Sequence, residues 1–129
     1  MNPARALTLA QALAQAQSAG IERPDARLLL LHLLGRSAHD RAWLIAHDGD
    51  PLAPALLPRW RELLDQRRAG IPVAYLTGHK AFYGLDLRID ARTLDPRADT
   101  ETLVDWAVSL LPPGQPARAL DLGTGSGAV

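Results

Sequence analysis

The chain has 129 residues, of which 47% are apolar, and its 14 basic and 14 acidic side chains cancel. Such a composition is typical of a globular protein with a core, and the charge balance offers no general attraction for nucleic acid or anionic membranes. The absence of cysteine excludes disulfides, thiolate nucleophiles and sulfur-based zinc sites. Without an 18-residue apolar run or a signal-like segment after Met1, the sequence predicts a cytoplasmic protein with no membrane partner.

Four helices are predicted in the first part of the chain. They cover about residues 3–19, 23–34, 39–46 and 58–69, with a turn at residues 48–51. The second helix is apolar on nearly every side, which predicts a place at the centre of a small helical bundle. The side chains expected to be buried in that bundle are Leu28, Leu31, Leu34, Trp43, Trp60 and Leu64.

Two arginines and four histidines in or near these helices require interpretation. Arg67 and Arg68 end the fourth helix, where cations complement the helix dipole. A solvated face is therefore favoured over a contact with an acidic partner or RNA. The histidines show no i,i+4 pairing with carboxylates, so no metal site is predicted. They are His32, His39, His47 and His79.

The residue pattern changes after the fourth helix. β-Branched and aromatic residues lie between Pro72 and Gly78, and residues 85–89 then alternate apolar and polar side chains. Two short strands on either side of Gly84 predict a β-hairpin within residues 71–92. Such a hairpin would link the helical part to the rest of the chain.

One more helix is predicted beyond the hairpin, beginning within residues 95–101. Asp99 or Thr100 can cap its first turn, because either side chain can accept a hydrogen bond from a free backbone N–H. The apolar residues that follow fall on one side of this helix; they are Leu103, Val104, Ala107 and Leu110.

The last stretch, residues 117–129, combines an apolar run with three alternate glycines. Ala119, Leu120 and Leu122 suit a buried parallel strand. Asp121 lies near its carboxyl end, where open α/β sheets bind ligands. The G-x-G-x-G spacing differs from the dinucleotide fingerprint G-x-G-x-x-G, and no lysine follows, as a phosphate-binding loop would require. A glycine-rich turn without a ligand is the simpler alternative.

The motif Asp121-Leu-Gly-Thr-Gly-Ser-Gly127 resembles the first motif of class I S-adenosylmethionine-dependent methyltransferases. The resemblance implies that S-adenosyl-L-methionine lies along this loop. The implied cofactor-binding residues are Asp121, Gly123, Thr124, Gly125, Ser126 and Gly127. Glycines suit this role because their backbone approaches a ligand where a Cβ would collide.

Three linked motifs together resemble the HemK/PrmC protein-glutamine N5-methyltransferases. They are Arg67-Arg68…Gly70-Ile-Pro-Val-Ala-Tyr-Leu-Thr-Gly78 with Phe82-Tyr83 and Leu85, then Thr93-Leu-Asp-Pro-Arg-Ala-Asp-Thr-Glu101, and finally Leu120-Asp-Leu-Gly-Thr-Gly-Ser-Gly-Ala128. In order and spacing, the resemblance covers essentially the whole chain. Two positions depart from the family pattern. This chain has Asp95 where the family usually has an apolar residue, and Ala98 where the family usually has a second proline. The packing around Asp95 is therefore an open question.

The resemblance implies an α+α/β fold. Residues 1–70 would form a helical bundle that helps to bind the protein substrate, and residues 71–92 a β-hairpin linker. Residues 93–129 would start a Rossmann-like, class I methyltransferase domain. Four further residues are implied in a substrate or cofactor pocket: Phe82, Arg97, Thr100 and Glu101.

The implied reaction moves a methyl group from S-adenosylmethionine to the side-chain amide nitrogen of glutamine, in the Gly-Gly-Gln loop of class 1 peptide-chain release factors. The family's catalytic Asn-Pro-Pro-Tyr motif does not occur in this sequence. We therefore expect no catalytic residue within it, and expect it to be the front part of a longer, monomeric enzyme, inactive by itself.

Three alternatives remain open. One is a methyltransferase of the same fold that acts on amino groups of nucleic acid, against which the neutral charge counts. Another is a helical protein-binding module without catalysis. A dinucleotide-dependent oxidoreductase comes last because of the glycine spacing.

Overall fold

The structure, a computed structural model, describes residues 6–129. They divide into two compact units, one ending at Thr77 and the other beginning at Gly78. The predicted start of the first helix, near residue 3, lies outside the described residues.

Helices build the first unit. They are α1 (Leu9–Ser18), α2 (Arg23–Leu33), α3 (Arg41–Ala46), α4 (Leu57–Arg68), which follows a 3₁₀ turn at Pro54–Leu56, and α5 (Val73–Thr77). The four helices predicted from the sequence are confirmed to within about two residues, except at the start of the first. Residues 6–8 were predicted as helix, but they precede α1, because Thr8 has an extended backbone and caps it. Residues 73–77, whose β-branched and aromatic side chains suggested strand character, form a helix instead.

Helix α1 begins at Leu9 because Thr8 caps it. Thr8 has an extended backbone, its Oγ1 accepts a hydrogen bond from the Gln11 backbone N–H at 3.2 Å, and the Gln11 Oε1 accepts one from the Thr8 N–H at 3.0 Å. This reciprocal arrangement is a capping box. Leu7, the residue before Thr8, is also held in place, because its carbonyl accepts a hydrogen bond from the Leu52 N–H at 2.7 Å.

Three helices of this unit end in the same way. After α1, Gly20 has φ of +83°, and the Ile21 N–H donates to the Ala16 carbonyl at 3.1 Å. This is a Schellman motif, in which a left-handed glycine lets the chain fold back onto the last turn. Equivalent bonds follow α2 at Gly35 and α4 at Gly70.

The core of the first unit lies where α1, α2 and α4 meet. Trp60 and Leu31 are 0% and 1% exposed and Leu64 is buried with them, as predicted. Three other side chains that were predicted to be buried are only half-buried, so these predictions are wrong: Leu28, Leu34 and Trp43. The complete buried cluster is Leu9, Ala12, Ala16, Ile21, Ala26, Leu29, Leu30, Leu31, Leu44, Leu52, Trp60, Leu63 and Leu64.

The second unit opens with the predicted hairpin. Strands β1 (His79–Phe82) and β2 (Leu85–Arg88) pair antiparallel, with His79 opposite Arg88 and Phe82 opposite Leu85. Tyr83 and Gly84 join them, both with positive φ (50° and 75°). Two such residues are what a type I′ turn requires, and this turn matches the twist of the paired strands.

Helix α6 spans Asp99–Leu110, as expected, but its predicted cap is wrong. Ala98 occupies the N-cap position and no side chain caps the helix. Asp99 and Glu101 lie in the first turn instead, where acidic side chains interact favourably with the helix dipole. None of the residues of α6 is buried. On its predicted apolar side Val104 is half-buried, and the other three residues are exposed: Leu103, Ala107 and Leu110.

The predicted parallel strand at residues 119–122 is not formed. These residues lack regular secondary structure, and Leu120 and Leu122 are each 83% exposed. A parallel strand needs a neighbour for its backbone groups. Within residues 6–129 the one sheet is the antiparallel pair β1–β2. The Rossmann-like start is therefore not present in the observed structure.

None of the helices in the described part of the chain combines the length and apolar character that a membrane span requires.

Candidate functional site

The glycine loop near the end of the chain consists of consecutive turns. Gly123, Gly125 and Gly127 have φ of 72°, 58° and 80°. The Thr124 Oγ1 donates to the Asp121 carbonyl at 3.1 Å, and the Gly127 N–H donates to the Thr124 carbonyl at 2.9 Å. The alternate glycines thus adopt the left-handed backbone that glycine reaches without strain.

The three glycines are required by backbone conformation rather than by crowding. A Cβ on Gly123 or Gly127 would meet no atom within 4 Å, and one on Gly125 would lie 3.8 Å from the Gly123 carbonyl oxygen. The loop is also open, since Asp121, Thr124 and the loop glycines are exposed. It therefore leaves room for a ligand against its backbone, although the cofactor-binding roles stay a prediction.

The hairpin turn is held to α6 by Tyr83. Its backbone N–H donates to the Glu101 Oε1 at 2.7 Å, and its phenol donates to the Asp105 Oδ1 at 2.7 Å. The bond to Asp105, followed by partial desolvation and the negative charges of Asp105 and Glu101, raises the pKa of the Tyr83 phenol. Tyr83 is also the one described non-glycine residue with positive φ, a conformation that bulky residues seldom adopt.

The four residues predicted for a substrate or cofactor pocket are only partly brought together. Phe82 is 2% exposed and directly precedes Tyr83, which bonds Glu101. Arg97 and Thr100 lie in the turn that starts α6, where the Thr100 N–H donates to the Arg97 carbonyl at 3.0 Å. No hydrogen bond or ion pair among residues 6–129 joins this cluster to the glycine loop. The pocket roles therefore stay a prediction.

The unusual Asp95 has a partner. It is 8% exposed, and the Lys80 Nζ lies 3.2 Å from its Oδ1. The contact is an ion pair without hydrogen-bond alignment, since that oxygen accepts no well-oriented hydrogen bond. Lys80 is the only lysine of the sequence. Its ammonium group supplies the positive charge next to the buried Asp95 carboxylate, which explains how an acidic residue is accommodated at this position.

The interpretation of Arg67 as part of a solvated face is wrong. The Arg67 Nε donates to the Asp25 Oδ2 at 2.9 Å, and both side chains are about one-third exposed or less. This pair joins the end of α4 to the first turn of α2. Arg68 fits the interpretation better, because its side chain is 59% exposed. Its Nη1 lies 3.8 Å from the Oδ1 of Asp65, an exposed residue of the same helix.

An open cavity of about 630 Å³ lies in the second unit; its lining residues are Gly78, Arg88, Ile89, Asp90, Arg92 and Thr93. At its edge the Arg92 Nη2 donates to the Asp90 Oδ2 at 2.6 Å. The bonds from the Arg92 side chain and backbone lower the pKa of the Asp90 carboxyl to about 2. None of these residues was predicted as a site residue, and the sequence offers no motif that marks them.

Comparison with known proteins identifies relatives for most of the chain. The family model described as the PrmC N-terminal domain matches residues 6–78. A release factor glutamine methyltransferase of Xylella fastidiosa (strain 9a5c) is 49% identical over 92% of this chain and 42% of its own length. One from Bordetella pertussis is 49% identical over 85% of this chain and 40% of its own length.

The protein of that name from Escherichia coli (strain K12) is 42% identical over 94% of this chain and 42% of its own length. The chain thus spans about two-fifths of each of these relatives. The family model matches more than half of the sequence, and residues 6–78 include all the helices of the first unit. This chain therefore belongs to the PrmC family.

Proposed function

We propose that this chain is the N-terminal part of an S-adenosylmethionine-dependent methyltransferase that acts on release factors. The observation that carries the proposal is the 49% identity to a release factor glutamine methyltransferase over 92% of this chain. The group that receives the methyl would be the side-chain amide nitrogen of glutamine in the Gly-Gly-Gln loop of class 1 release factors. The enzyme would work in the cytoplasm.

The glycine loop fits the proposed cofactor. S-adenosylmethionine supplies a methyl group on a sulfonium centre, and it carries an amino-acid end that needs hydrogen-bonding partners. The residues that would hold it are Asp121 and the loop from Gly123 to Gly127. Their backbone is exposed, a Cβ-free surface faces solvent, and the Asp121 carboxylate is available to a cationic amino group.

An amide nitrogen is a weak nucleophile because its lone pair is delocalised into the carbonyl. Catalysis should then depend on alignment of the amide and on hydrogen bonds that hold it, more than on a strong base. The Asn-Pro-Pro-Tyr motif that performs this task in the family is absent from the 129 residues. We therefore propose that these residues contribute cofactor and substrate binding, and that by themselves they are inactive.

Two preparations test the proposal: the full-length protein and residues 1–129. We expect the full-length protein to transfer a radiolabelled methyl group to a release factor, and to lose the product when the loop glutamine is replaced by alanine. Residues 1–129 should show no turnover and little cofactor binding in a calorimetric titration. Turnover by residues 1–129 would show that the catalytic residues have been misplaced.

The same assay separates the alternatives. Methylation of nucleic acid, with no methylation of the release factor, would favour the nucleic-acid amino-methyltransferase. Binding of the release factor without methyl transfer by the full-length protein would favour a helical binding module. The buried core of the first unit keeps that last alternative physically reasonable, because this unit does not need the glycine loop to bury its apolar residues.

A further inference from the structure

Two carboxylates of α6 share one donor residue, Tyr83. The Tyr83 backbone N–H donates to the Glu101 Oε1 and its phenol donates to the Asp105 Oδ1, both at 2.7 Å. Glu101 and Asp105 are four residues apart and lie on one face of the helix, where like charges repel. Within residues 6–129 neither carboxylate forms an ion pair with a basic side chain. The two donors of Tyr83 therefore compensate this pair of like charges.

The backbone at Tyr83 is strained. Its φ is +50°, a left-handed value that bulky residues seldom adopt, and its side chain is 42% exposed. Glycine or asparagine would occupy the same turn position without strain. Strained residues persist where the surrounding structure holds them, and they concentrate at functional sites. Here the holding contacts are the two bonds to α6, and the one to Asp105 requires the phenol.

The bond to Tyr83 leaves one oxygen of Glu101 open to a ligand. The Glu101 Oε1 accepts from the Tyr83 N–H, and its Oε2 accepts no hydrogen bond from residues 6–129. The Glu101 side chain is half-buried, and Phe82, which directly precedes Tyr83, is 2% exposed. The hairpin turn thus fixes a carboxylate of the predicted pocket by one oxygen only.

We propose that Tyr83 is a positioning residue for methyl transfer: its phenol, bonded to Asp105, holds the hairpin turn where the Tyr83 N–H fixes Glu101. The proposal rests on the proposed function, because it assigns Glu101 to the pocket in which the methyl group is transferred. Tyr83 acts through Glu101 and requires no contact with substrate or cofactor. Small displacements of a group that orients the reactants lower a rate steeply, which is why the turn must be held.

The test uses the full-length protein and measures kcat/KM for methyl transfer to the release factor. Tyr83→Phe removes the hydroxyl and Asp105→Leu removes its acceptor, so each should lower kcat/KM by about three- to tenfold, the worth of one hydrogen bond. Asp105→Asn keeps an acceptor oxygen and should stay within about twofold of the unmodified protein. The matched control is Ser109→Ala, which removes a bond within α6, from the Ser109 Oγ to the Trp106 carbonyl at 2.6 Å. Its kcat/KM should be unchanged.

Two further variants separate positioning from a purely structural role. Tyr83→Asn suits the positive φ and keeps the backbone N–H. It should therefore stay folded in a thermal unfolding measurement, yet lose as much kcat/KM as Tyr83→Phe. The double variant Y83F/E101A should be no less active than E101A, because Tyr83 then has no carboxylate to position.

A second measurement does not depend on activity. NMR of isotope-labelled tyrosine follows the phenols of the full-length protein, and the signal missing from Y83F identifies Tyr83. The pKa of the Tyr83 phenol should lie above the ordinary value of 10.0, because the bond to Asp105 favours the protonated phenol. In D105L the pKa should return towards 10.0.

Four results would overturn the role of Tyr83 while the proposed function stands. They are normal kcat/KM in Y83F and D105L, an equal loss in S109A, losses that multiply in Y83F/E101A, and a phenol pKa that D105L does not move. Multiplying losses would show that Tyr83 and Glu101 act independently. Failure of the unmodified protein to transfer a methyl group would instead overturn the proposed function, and the role of Tyr83 with it.

Discussion

The two units of this chain carry apolar residues in similar patterns but bury them very differently. In the first unit thirteen apolar residues form one buried cluster, and Trp60 at its centre is 0% exposed. In the second unit no residue of α6 is buried, and Trp106 on that helix is 63% exposed. The comparison shows that an apolar stripe predicts a helix face but does not by itself provide the surface that covers it.

The largest effect should come from replacing the two tryptophans in turn. Trp60→Ala should destabilise the protein by about 3–5 kcal/mol, because it opens a cavity in the core and removes the Nε1–H bond to the Gln15 Oε1 at 3.2 Å. Trp106→Ala should change stability by less than about 0.5 kcal/mol, as for other exposed positions. Urea unfolding followed by circular dichroism measures both values. Equal losses would contradict the comparison.

An intermediate effect is expected at the buried carboxylate of the second unit. Lys80→Met should destabilise by about 1–3 kcal/mol, since it leaves the Asp95 carboxylate buried without a counter-charge. The double variant K80M/D95L should recover most of that loss, because both charges are then replaced by apolar side chains. Unfolding of the single and double variants forms the test. A double variant less stable than K80M would show that the position needs the charge itself.

The smallest effect concerns the exposed pair Asp90–Arg92. The folded-state pKa of the Asp90 carboxyl, about 2, lies below the ordinary value of 3.8. The contribution of the Asp90–Arg92 pair to the stability of the folded protein is therefore fully present above pH 3.8, and it is lost as the pH falls towards 2. An NMR titration of the Asp90 carboxyl should show the low midpoint, and Arg92→Gln should return it towards 3.8. A midpoint that Arg92→Gln does not move would exclude Arg92 as the cause.

Side chains that the sequence could not place are those whose partners lie far away in the chain. Arg67 was expected on a solvated face, yet it pairs with Asp25, 42 positions earlier. Asp95 pairs with Lys80, and Tyr83 bonds Asp105, 22 positions later. Periodicity and capping rules describe neighbours within one or two turns, so they carry no information about such pairs.

What the sequence determined by itself is local. Helical periodicity and the glycines at helix ends located α1, α2 and α4, and the turn at Gly84 located the hairpin, because these signals act through backbone conformation and nearest neighbours. The glycine loop also follows from sequence, since Gly123, Gly125 and Gly127 each adopt the positive φ that favours glycine.

The tertiary structure decided which apolar segments are covered. Leu31 is 1% exposed because α1 and α4 pack around α2, whereas Leu120, in a run that was also predicted to be buried, is 83% exposed. A helix satisfies its own backbone hydrogen bonds and needs a partner only for its apolar face. A strand needs a neighbour for its backbone as well. Among residues 6–129 the one sheet is the β1–β2 pair, and residues 119–122 form no strand.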